Sequence, residues 1–258
     1  MNRIDQLFKN KKENILSIYF TAGFPGLEDT RPVMKALEEA GADIVEIGVP
    51  YSDPVADGPT IQESNKVALD NGMSLKKLFS QLEDMRKEIS IPVILMGYLN
   101  PMMQYGMEAF CKKCREVGVD GIIVPDLPMQ QYLDEYKEMF DRYGLRNTFL
   151  ISPQTSEKRI REIDEFSDGF IYMVSSHSIT GAKAGITDAQ VDYFQSVKKM
   201  GLKSPRLIGF GISDRDSFMK ASAYSNGAII GSAFIKVLQQ ANNLTEDIKT
   251  YIGRIKEA

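Results

Sequence analysis

Short apolar segments alternate with longer amphipathic segments along most of the chain. The apolar segments have the length and composition of buried strands, whereas segments such as LKKLFSQLEDMRKEI carry apolar residues at spacings of three and four, which predicts helices. Eight strands are predicted, at residues 15–21, 44–49, 92–98, 121–126, 147–152, 170–175, 206–211 and 228–231. An amphipathic segment at residues 4–12 predicts one extra helix before the first strand. Because strands that alternate with helices form parallel sheets, the pattern predicts an α/β fold.

Glycines mark the ends of several predicted helices. Ala40-Gly41, Val117-Gly118 and Tyr143-Gly144 each precede a predicted strand, and glycine readily adopts the left-handed conformation that ends a helix. Eight strand–helix units in about 250 residues predict a (β/α)8 TIM barrel with an extra N-terminal helix. No linker composition suggests a second domain, so a single barrel domain over residues 1–258 is expected. An open doubly wound sheet is the alternative, although the first strand lacks the Gly-rich turn of a dinucleotide site.

Charge and composition indicate which partners and which cellular location to expect. The net charge is −4 and the basic residues are scattered, which argues against binding nucleic acid or an anionic membrane. The chain lacks an apolar run long enough to span a membrane, and its start, MNRIDQLFKNKKEN, does not resemble a secretory signal, so a cytoplasmic protein is expected. Cys111 and Cys114 fall in the middle of a predicted helix, where neither a redox motif nor a zinc site is expected.

Carboxylates follow the apolar core of the second predicted strand. Glu46 shares one face of that strand with Ile44 and Gly48, so it is expected among apolar neighbours. Burial would raise the pKa of its carboxyl group and suit it to general acid/base catalysis. A buried glutamate paired with lysine or arginine is the structural alternative. Asp53 and Asp57 follow in the loop PYSDPVADGP, where turn formation alone would explain either of them.

The ends of the seventh and eighth predicted strands are typical of a phosphate site. Gly209-Phe-Gly-Ile-Ser offers small and flexible backbone, and Gly231-Ser232 precedes a final helix whose free N–H groups attract anions. Barrels commonly bind phosphate at this place. The alternative is that these glycines do not bind phosphate and only allow tight turns between strand and helix.

These segments together resemble the tryptophan synthase alpha subunit family. EIGVPYSDPVADGP, followed by Thr60-Ile-Gln-Glu, is similar to the family signature E-[IL]-G-x-P-[FY]-S-D-P-x-A-D-G-P. Further matches in the same order and spacing extend over essentially the whole chain. They are Phe20-Thr-Ala-Gly-Phe-Pro, Met96-Gly-Tyr-Leu-Asn-Pro, Val124-Pro-Asp-Leu-Pro, Tyr172, Thr180-Gly181, Gly209-Phe-Gly-Ile-Ser and Gly231-Ser-Ala.

The resemblance implies a lyase that cleaves indole-3-glycerol phosphate to indole and D-glyceraldehyde 3-phosphate by a retro-aldol reaction. It implies that Glu46 is the general acid/base and that Asp57 accepts a hydrogen bond from the indole N–H. The substrate phosphate would be bound by Gly181, Phe210, Gly211, Gly231 and Ser232. The remaining substrate-site residues would be Tyr19, Met96, Tyr172 and Thr180, although aromatic and methionine side chains inside a barrel are usually core. This chemistry needs neither a metal nor an organic cofactor.

The resemblance also implies an alpha2-beta2 complex in which a beta subunit takes up indole and joins it to serine. Pyridoxal phosphate would belong only to that partner. The loops at residues 50–57 and 100–106 are the predicted docking surface. One alternative to this function is another phosphate-binding barrel enzyme, but the match at residues 46–59 argues against it. A second alternative is a mainly regulatory subunit with little lyase activity. The presence of both Glu46 and Asp57 favours an active subunit.

One segment departs from the family pattern. After the sixth strand the chain reads Ser175-Ser-His-Ser-Ile-Thr-Gly, with Ser178 where the family typically has glycine. The segment resembles a mobile lid over the substrate, and serine restricts the backbone more than glycine does. His177 is the only histidine and is expected to be a solvated loop residue.

Overall fold

Eight parallel strands form a closed barrel in the computed structural model, which describes residues 1–175 and 186–256. They are β1 (Ile15–Thr21), β2 (Ile44–Gly48), β3 (Val93–Met96), β4 (Gly121–Ile123), β5 (Arg146–Ile151), β6 (Ile171–Val174), β7 (Arg206–Gly209) and β8 (Gly227–Ile230). Each strand pairs with the next one in the sequence, and β8 pairs with β1 from Ile15 opposite Gly227 to Ile18 opposite Ile230. The predicted TIM barrel is confirmed, and the open-sheet alternative is wrong.

Three strands end two or three residues before their predicted C-terminal ends, for local reasons. After β3, Tyr98 is already the N-cap of the next helix. After β4, Pro125 has no N–H group for a strand ladder. After β7, Phe210 has a left-handed φ of 68°. These residues therefore belong to the loops at the C-terminal ends of the strands, where barrel enzymes place their active sites.

Helices follow the strands around the outside of the barrel. In the part of the chain that the structure describes they are α1 (Arg3–Asn10), α2 (Thr30–Glu39), α3 (Pro59–Asp70), α4 (Leu75–Leu82), α5 (Leu99–Tyr105), α6 (Met107–Val117), α7 (Met129–Gln131), α8 (Lys137–Tyr143), α9 (Glu157–Phe166), α10 (Asp188–Lys199), α11 (Arg215–Ser222), α12 (Ser232–Gln240) and α13 (Leu244–Lys256). A π-helical turn, Tyr132–Tyr136, joins α7 to α8. Gly41, Gly118 and Gly144 have φ values of 92°, 88° and 69°, so they end their helices as predicted.

Alternate residues of each strand face two different apolar cores. On β2, Val45 and Ile47 face the helices, whereas Ile44 belongs to a second cluster inside the barrel. The buried members of that inner cluster are Ile4, Phe8, Ile15, Ile44, Ile94, Ile123, Phe170, Tyr172, Leu207 and Ile229. Because Glu46 lies two residues after Ile44 on the same strand, its side chain also faces the interior, as the alternation predicted.

The extra N-terminal helix closes one end of the barrel. Ile4 and Phe8 of α1 are buried in the inner cluster, and the Phe8 and Phe170 rings lie 5.8 Å apart between centroids. Gly121 at the start of β4 makes room for this helix, since a Cβ atom there would lie 2.7 Å from Cδ1 of Ile4. Polar contacts add to the packing, because the amide of Asn2 donates a 2.7 Å hydrogen bond to the carbonyl of Asp120. This helix therefore covers the barrel interior at the N-terminal ends of the strands.

The two cysteines lie within α6, the helix predicted for them, and both are buried and free. Burial raises the pKa of the Cys111 thiol to about 12 and that of Cys114 well above its usual value. Thiols of this kind stay protonated and are poor nucleophiles. Within residues 1–175 and 186–256, no helix is long and apolar enough to cross a membrane.

Truncation of the α1 side chain that enters the barrel should destabilise the whole fold. We expect Phe8→Ala to lower the free energy of unfolding by about 3–5 kcal/mol, because it removes a buried ring from a closed core. Urea unfolding followed by far-UV circular dichroism measures this change. Lys9→Ala, at the exposed neighbouring position, should change the value by less than about 0.5 kcal/mol. Equal effects of the two substitutions would show that α1 does not belong to the cooperative core.

Candidate active site

Glu46 lies inside the barrel with one carboxylate oxygen unpaired. Its side chain is fully buried, and the Ser17 hydroxyl of β1 donates a 2.6 Å hydrogen bond to Oε1. Oε2 has no hydrogen-bond partner in the described part of the chain. Burial raises the pKa of Glu46 to about 7, and the hydrogen bond from Ser17 opposes that rise. A carboxyl group with a pKa near neutrality both donates and accepts protons under physiological conditions.

The described residues do not provide the buried ion pair that is the structural alternative for Glu46. Within residues 1–175 and 186–256, burial raises its pKa and the Ser17 hydrogen bond lowers it, and no lysine or arginine bonds to its carboxylate. A buried carboxylate without a cation destabilises the folded protein unless it is protonated. Its position is therefore explained better by chemistry than by stability.

Asp57 is also a buried carboxylate, and its exposure distinguishes it from Asp53 of the same loop. Asp57 is 9% exposed, whereas Asp53 is exposed to solvent. Burial raises the pKa of Asp57 to about 6, while the Tyr98 hydroxyl and the Asn65 amide oppose the rise. Nδ2 of Asn65 on α3 lies 3.4 Å from Oδ2 of Asp57. Gly58 and Pro59 follow at once as the N-cap and first residue of α3, so the start of this helix fixes the position of Asp57.

A cavity lies between Asp57 and the ends of three strands. Its lining residues are Tyr19, Val49, Asp57, Met96, Gly97, Tyr98 and Pro125. The structure thus brings together Tyr19, Asp57 and Met96, which the sequence selected as site residues. Tyr98 and Pro125 were not selected, although both lie in the segments MGYLNP and VPDLP that carried the resemblance. The cavity is small, with a volume of about 10 Å³, and the Asp57 carboxylate beside it can accept a hydrogen bond from an N–H donor.

Two tyrosines inside the barrel occupy space that glycines leave free. A Cβ atom at Gly48 would lie 2.1 Å from the Tyr19 hydroxyl, and one at Gly209 would lie 2.2 Å from the Tyr172 hydroxyl. Burial, followed in the case of Tyr172 by the charge of Glu46, raises the pKa of both tyrosines above the usual value. Both residues are therefore neutral hydroxyl groups near the two carboxylates.

The loop after β7 has the backbone shape of an anion cradle. Phe210 and Gly211 both have left-handed φ values, 68° and 77°. The Ser175 hydroxyl donates a 2.6 Å hydrogen bond to the Phe210 carbonyl, which holds this unusual conformation. The Phe210 ring packs edge-on against Tyr172, with 6.3 Å between ring centroids. Successive backbone N–H groups of a turn can form a concavity that binds an anion.

The start of α12 offers the second half of the cradle. Gly231 is its N-cap, and the first intrahelical hydrogen bond runs from the Ile235 N–H to the Gly231 carbonyl at 3.0 Å. The N–H groups of Ser232, Ala233 and Phe234 are therefore free of intrahelical acceptors. A Cβ atom at Gly231 would lie 3.6 Å from the ring of Tyr19, which also lines the cavity beside Asp57, so this helix start lies close to that tyrosine. Such a helix end attracts phosphate groups.

Part of the predicted site lies outside the described residues. Thr180 and Gly181, together with His177 and Ser178 of the segment compared with a lid, belong to residues 176–185. Among residues 1–175 and 186–256, no group of three or more histidine, cysteine, aspartate or glutamate side chains is arranged to hold a metal ion.

Comparisons with known proteins agree with this architecture over the whole chain. A family model described as tryptophan synthase alpha chain matches residues 6–257. The tryptophan synthase alpha chain of Flavobacterium johnsoniae is 54% identical over 256 residues, which cover 99% of this chain and 100% of the relative.

Solved structures extend the similarity to three dimensions. Tryptophan synthase subunit alpha from Legionella pneumophila has a TM-score of 0.87 and 32% identity, and the match covers 99% of this chain and 97% of that chain. Tryptophan synthase from M. tuberculosis, in an aminoacrylate-bound form, has a TM-score of 0.86 and 27% identity over 99% and 98% of the two chains. With the barrel, the carboxylates and these full-length matches in agreement, the chain belongs to the tryptophan synthase alpha chain family.

Proposed function

We propose that this chain cleaves indole-3-glycerol phosphate to indole and D-glyceraldehyde 3-phosphate. One observation carries the proposal: Glu46 is fully buried inside the barrel, has a pKa of about 7, and finds among the described residues neither a cation nor a partner for Oε2. Membership of the family supplies the substrate, and Asp57 borders a small cavity that Tyr19 and Met96 also line.

The proposed reaction breaks the bond between indole C3 and C3′ of the glycerol phosphate chain. Protonated Glu46 donates its proton to indole C3, and positive charge develops on the ring nitrogen. The ionised Glu46 then accepts the proton of the C3′ hydroxyl. The oxygen forms the aldehyde C=O, and the electrons of the C3–C3′ bond return to the ring. Glu46 is protonated again at the end of this cycle, so a pKa of about 7 suits both proton transfers.

Asp57 stabilises the charge that this sequence creates. Its carboxylate accepts a hydrogen bond from the indole N–H as the ring becomes cationic. A fixed anion next to a developing cation lowers the energy of the transition state more than that of the neutral substrate. The Asn65 amide and the α3 N-terminus hold that anion in place before the substrate binds.

The substrate phosphate binds between the loop after β7 and the start of α12. Free N–H groups at Ser232 and the following residues, and the left-handed pair Phe210 and Gly211, provide the donors. Thr180 and Gly181, beyond the described residues, are proposed to complete the site. Tyr19, Met96 and Tyr172 line the space for the indole and glycerol groups.

A beta subunit is the proposed partner, in an alpha2-beta2 complex that receives indole and contains the pyridoxal phosphate. Of the predicted docking surface, the loop at residues 50–57 exposes Val55 at 77%, whereas residues 100–106, predicted as a loop, largely form α5, which exposes Met103 at 53%. We propose that these two neighbouring segments, which are joined by a hydrogen bond from the Asn100 amide to the Tyr51 hydroxyl, form the interface. We propose a cytoplasmic location, which is usual for a biosynthetic enzyme of this kind. We also propose that residues 1–258 form one domain.

Loss of either buried carboxylate should abolish most turnover. We expect Glu46→Gln to lower kcat about 100-fold to 10,000-fold, because it removes the group that transfers both protons. Asp57→Asn should lower kcat about 100-fold through loss of the fixed charge. The measurement is release of indole and glyceraldehyde 3-phosphate from indole-3-glycerol phosphate, with and without a beta subunit. Asp53→Asn, an exposed carboxylate of the same loop, is the matched control for the chain alone.

The regulatory alternative predicts a different result in this assay. No release by the unsubstituted chain, even with a beta subunit that demonstrably binds it, would contradict the proposed reaction.

The raised pKa of Glu46 should also appear as a pH dependence of stability. Glu46 contributes stability that is fully present below about pH 4.5 and is lost as the pH rises through about 7, because the folded protein favours the protonated acid. Glu46→Gln cannot ionise. Its free energy of unfolding, relative to the unsubstituted protein, should therefore increase by about 2 kcal/mol between about pH 5.5 and about pH 8. Urea unfolding at a series of pH values measures this difference, and parallel profiles would contradict the desolvation of Glu46.

A negative charge at the start of α12 should weaken phosphate binding while it stabilises the helix. We expect Ser232→Asp to stabilise the helix by about 0.3–1 kcal/mol through its dipole. The same charge should raise the KM for indole-3-glycerol phosphate about tenfold, because it repels the phosphate. Steady-state kinetics and thermal unfolding give the two values. Ser232→Asn, which has the same size and no charge, should leave KM nearly unchanged, and equal KM values for the two variants would place the phosphate elsewhere.

A further inference from the structure

A serine inside the barrel makes the only hydrogen bond to Glu46 among the described residues. Ser17 lies on β1, is fully buried, and donates from its hydroxyl to Oε1 of Glu46 at 2.6 Å. The other residues of β1 are apolar or aromatic up to Thr21 at its end, so Ser17 is an exception in this strand. A buried hydroxyl in an apolar strand destabilises the fold unless a partner compensates it. The partner here is the carboxylate proposed to perform the reaction.

The hydrogen bond distinguishes the two oxygens of the carboxylate. Oε1 is held by Ser17, whereas Oε2 has no partner among the described residues. A length of 2.6 Å is typical of a hydroxyl that donates to a charged oxygen. A proton on Oε1 would point toward Ser17, so the serine hydroxyl would have to turn and accept rather than donate. A proton on Oε2 leaves the hydrogen bond from Ser17 to Oε1 as it is. Ser17 therefore donates to Glu46 in both protonation states only when the proton resides on Oε2.

We infer that Ser17 is a positioning residue for the general acid/base: its hydroxyl holds Oε1 of Glu46 and leaves Oε2 as the oxygen that exchanges protons with the substrate. This inference rests on the proposed function of Glu46 for its kinetic consequences. The contact itself and its effect on ionisation do not depend on that function. Ser17 touches neither reacting carbon, so it acts through Glu46 alone.

The other groups that influence ionisation near Glu46 are few in the described residues. Tyr19 on β1 and Tyr172 on β6 are neutral, since burial raises the pKa of both. Asp57 has a pKa of about 6 and is the only other carboxylate that acts on these tyrosines. Because Asp57 titrates in a similar range, an experiment on Ser17 must observe Glu46 itself rather than activity alone.

Four variants separate the hydroxyl from the shape of the side chain. Ser17→Ala removes the hydroxyl, and Ser17→Thr retains it on a branched side chain. Ser17→Val has the shape of the threonine variant without the hydroxyl, so the last two form a matched pair. Ser222→Ala, at a buried serine of α11 whose hydroxyl has no partner among the described residues, is the control for loss of a buried hydroxyl elsewhere.

The first measurement is a carbon-13 NMR titration of protein labelled at the glutamate side-chain carboxyl carbons. The Glu46 signal is identified by its absence from Glu46→Gln. We expect the pKa of Glu46 to rise by roughly one unit in Ser17→Ala and Ser17→Val, because a hydrogen bond to the ionised form is lost. Ser17→Thr and Ser222→Ala should titrate like the unsubstituted protein.

The second measurement is turnover of indole-3-glycerol phosphate by the same proteins. Loss of the contact should lower kcat about tenfold and move its pH profile with the Glu46 titration, while KM changes less than about threefold. Ser17→Thr should restore kcat relative to Ser17→Val. A structural role alone would lower the stability of all the Ser17 variants without shifting the Glu46 titration.

Two outcomes would overturn the inference. One is a Glu46 titration in Ser17→Ala and Ser17→Val that matches the unsubstituted protein. The other is a shift in Ser17→Thr as large as that in Ser17→Val, which would assign the effect to shape. The expected NMR shifts in a protein that cleaves no substrate would support the contact and reject the proposed function, so the two failures are distinguishable.

Discussion

The desolvation of one carboxylate inside a closed barrel is the constraint on which the site depends. Among the described residues no cation lies beside Glu46, and α1 covers the end of the barrel opposite to the site. Glu46 is fully buried, so its carboxyl group is removed from water. This arrangement makes the pKa of the acid sensitive to the few polar atoms around it, and it makes the folded protein less stable whenever Glu46 ionises. Stability and reactivity are thus coupled at one residue.

The glycines on the inner face of the barrel leave the space that large side chains need. A barrel of eight strands has an interior just wide enough for side chains, so a site with two tyrosines needs positions without a Cβ atom. Gly48 and Gly209 supply them, since a Cβ at either position would overlap a tyrosine hydroxyl. These glycines are ordinary extended residues of β2 and β7 and need no special backbone conformation. Their function is to admit large polar side chains next to Glu46.

The sequence predicted the strands and the inward direction of Glu46 because both follow from a period of two along a buried strand. It did not predict Ser17, because the partner of a small polar residue 29 positions away depends on the register of β1 against β2. Tyr98 and Pro125 were missed for a similar reason: both follow strands that end earlier than their apolar composition suggests. The amphipathic pattern of α1 predicted a helix, but pattern alone cannot show that its apolar face enters the barrel.

Tyr19 connects the two halves of the proposed site. Its hydroxyl lies over Gly48 of β2, the strand that carries Glu46, and its ring lies 3.6 Å from the position of a Cβ at Gly231, where the proposed phosphate-binding helix begins. The acid and the anion cradle come from strands far apart in the sequence, β2 and β8, and β1 lies between them in the barrel. Ser17 and Tyr19 both project inward from β1, two residues apart. One strand therefore orients the carboxylate through Ser17 and sets its separation from the phosphate site through Tyr19, which explains why β1 carries polar groups on an otherwise apolar inner face.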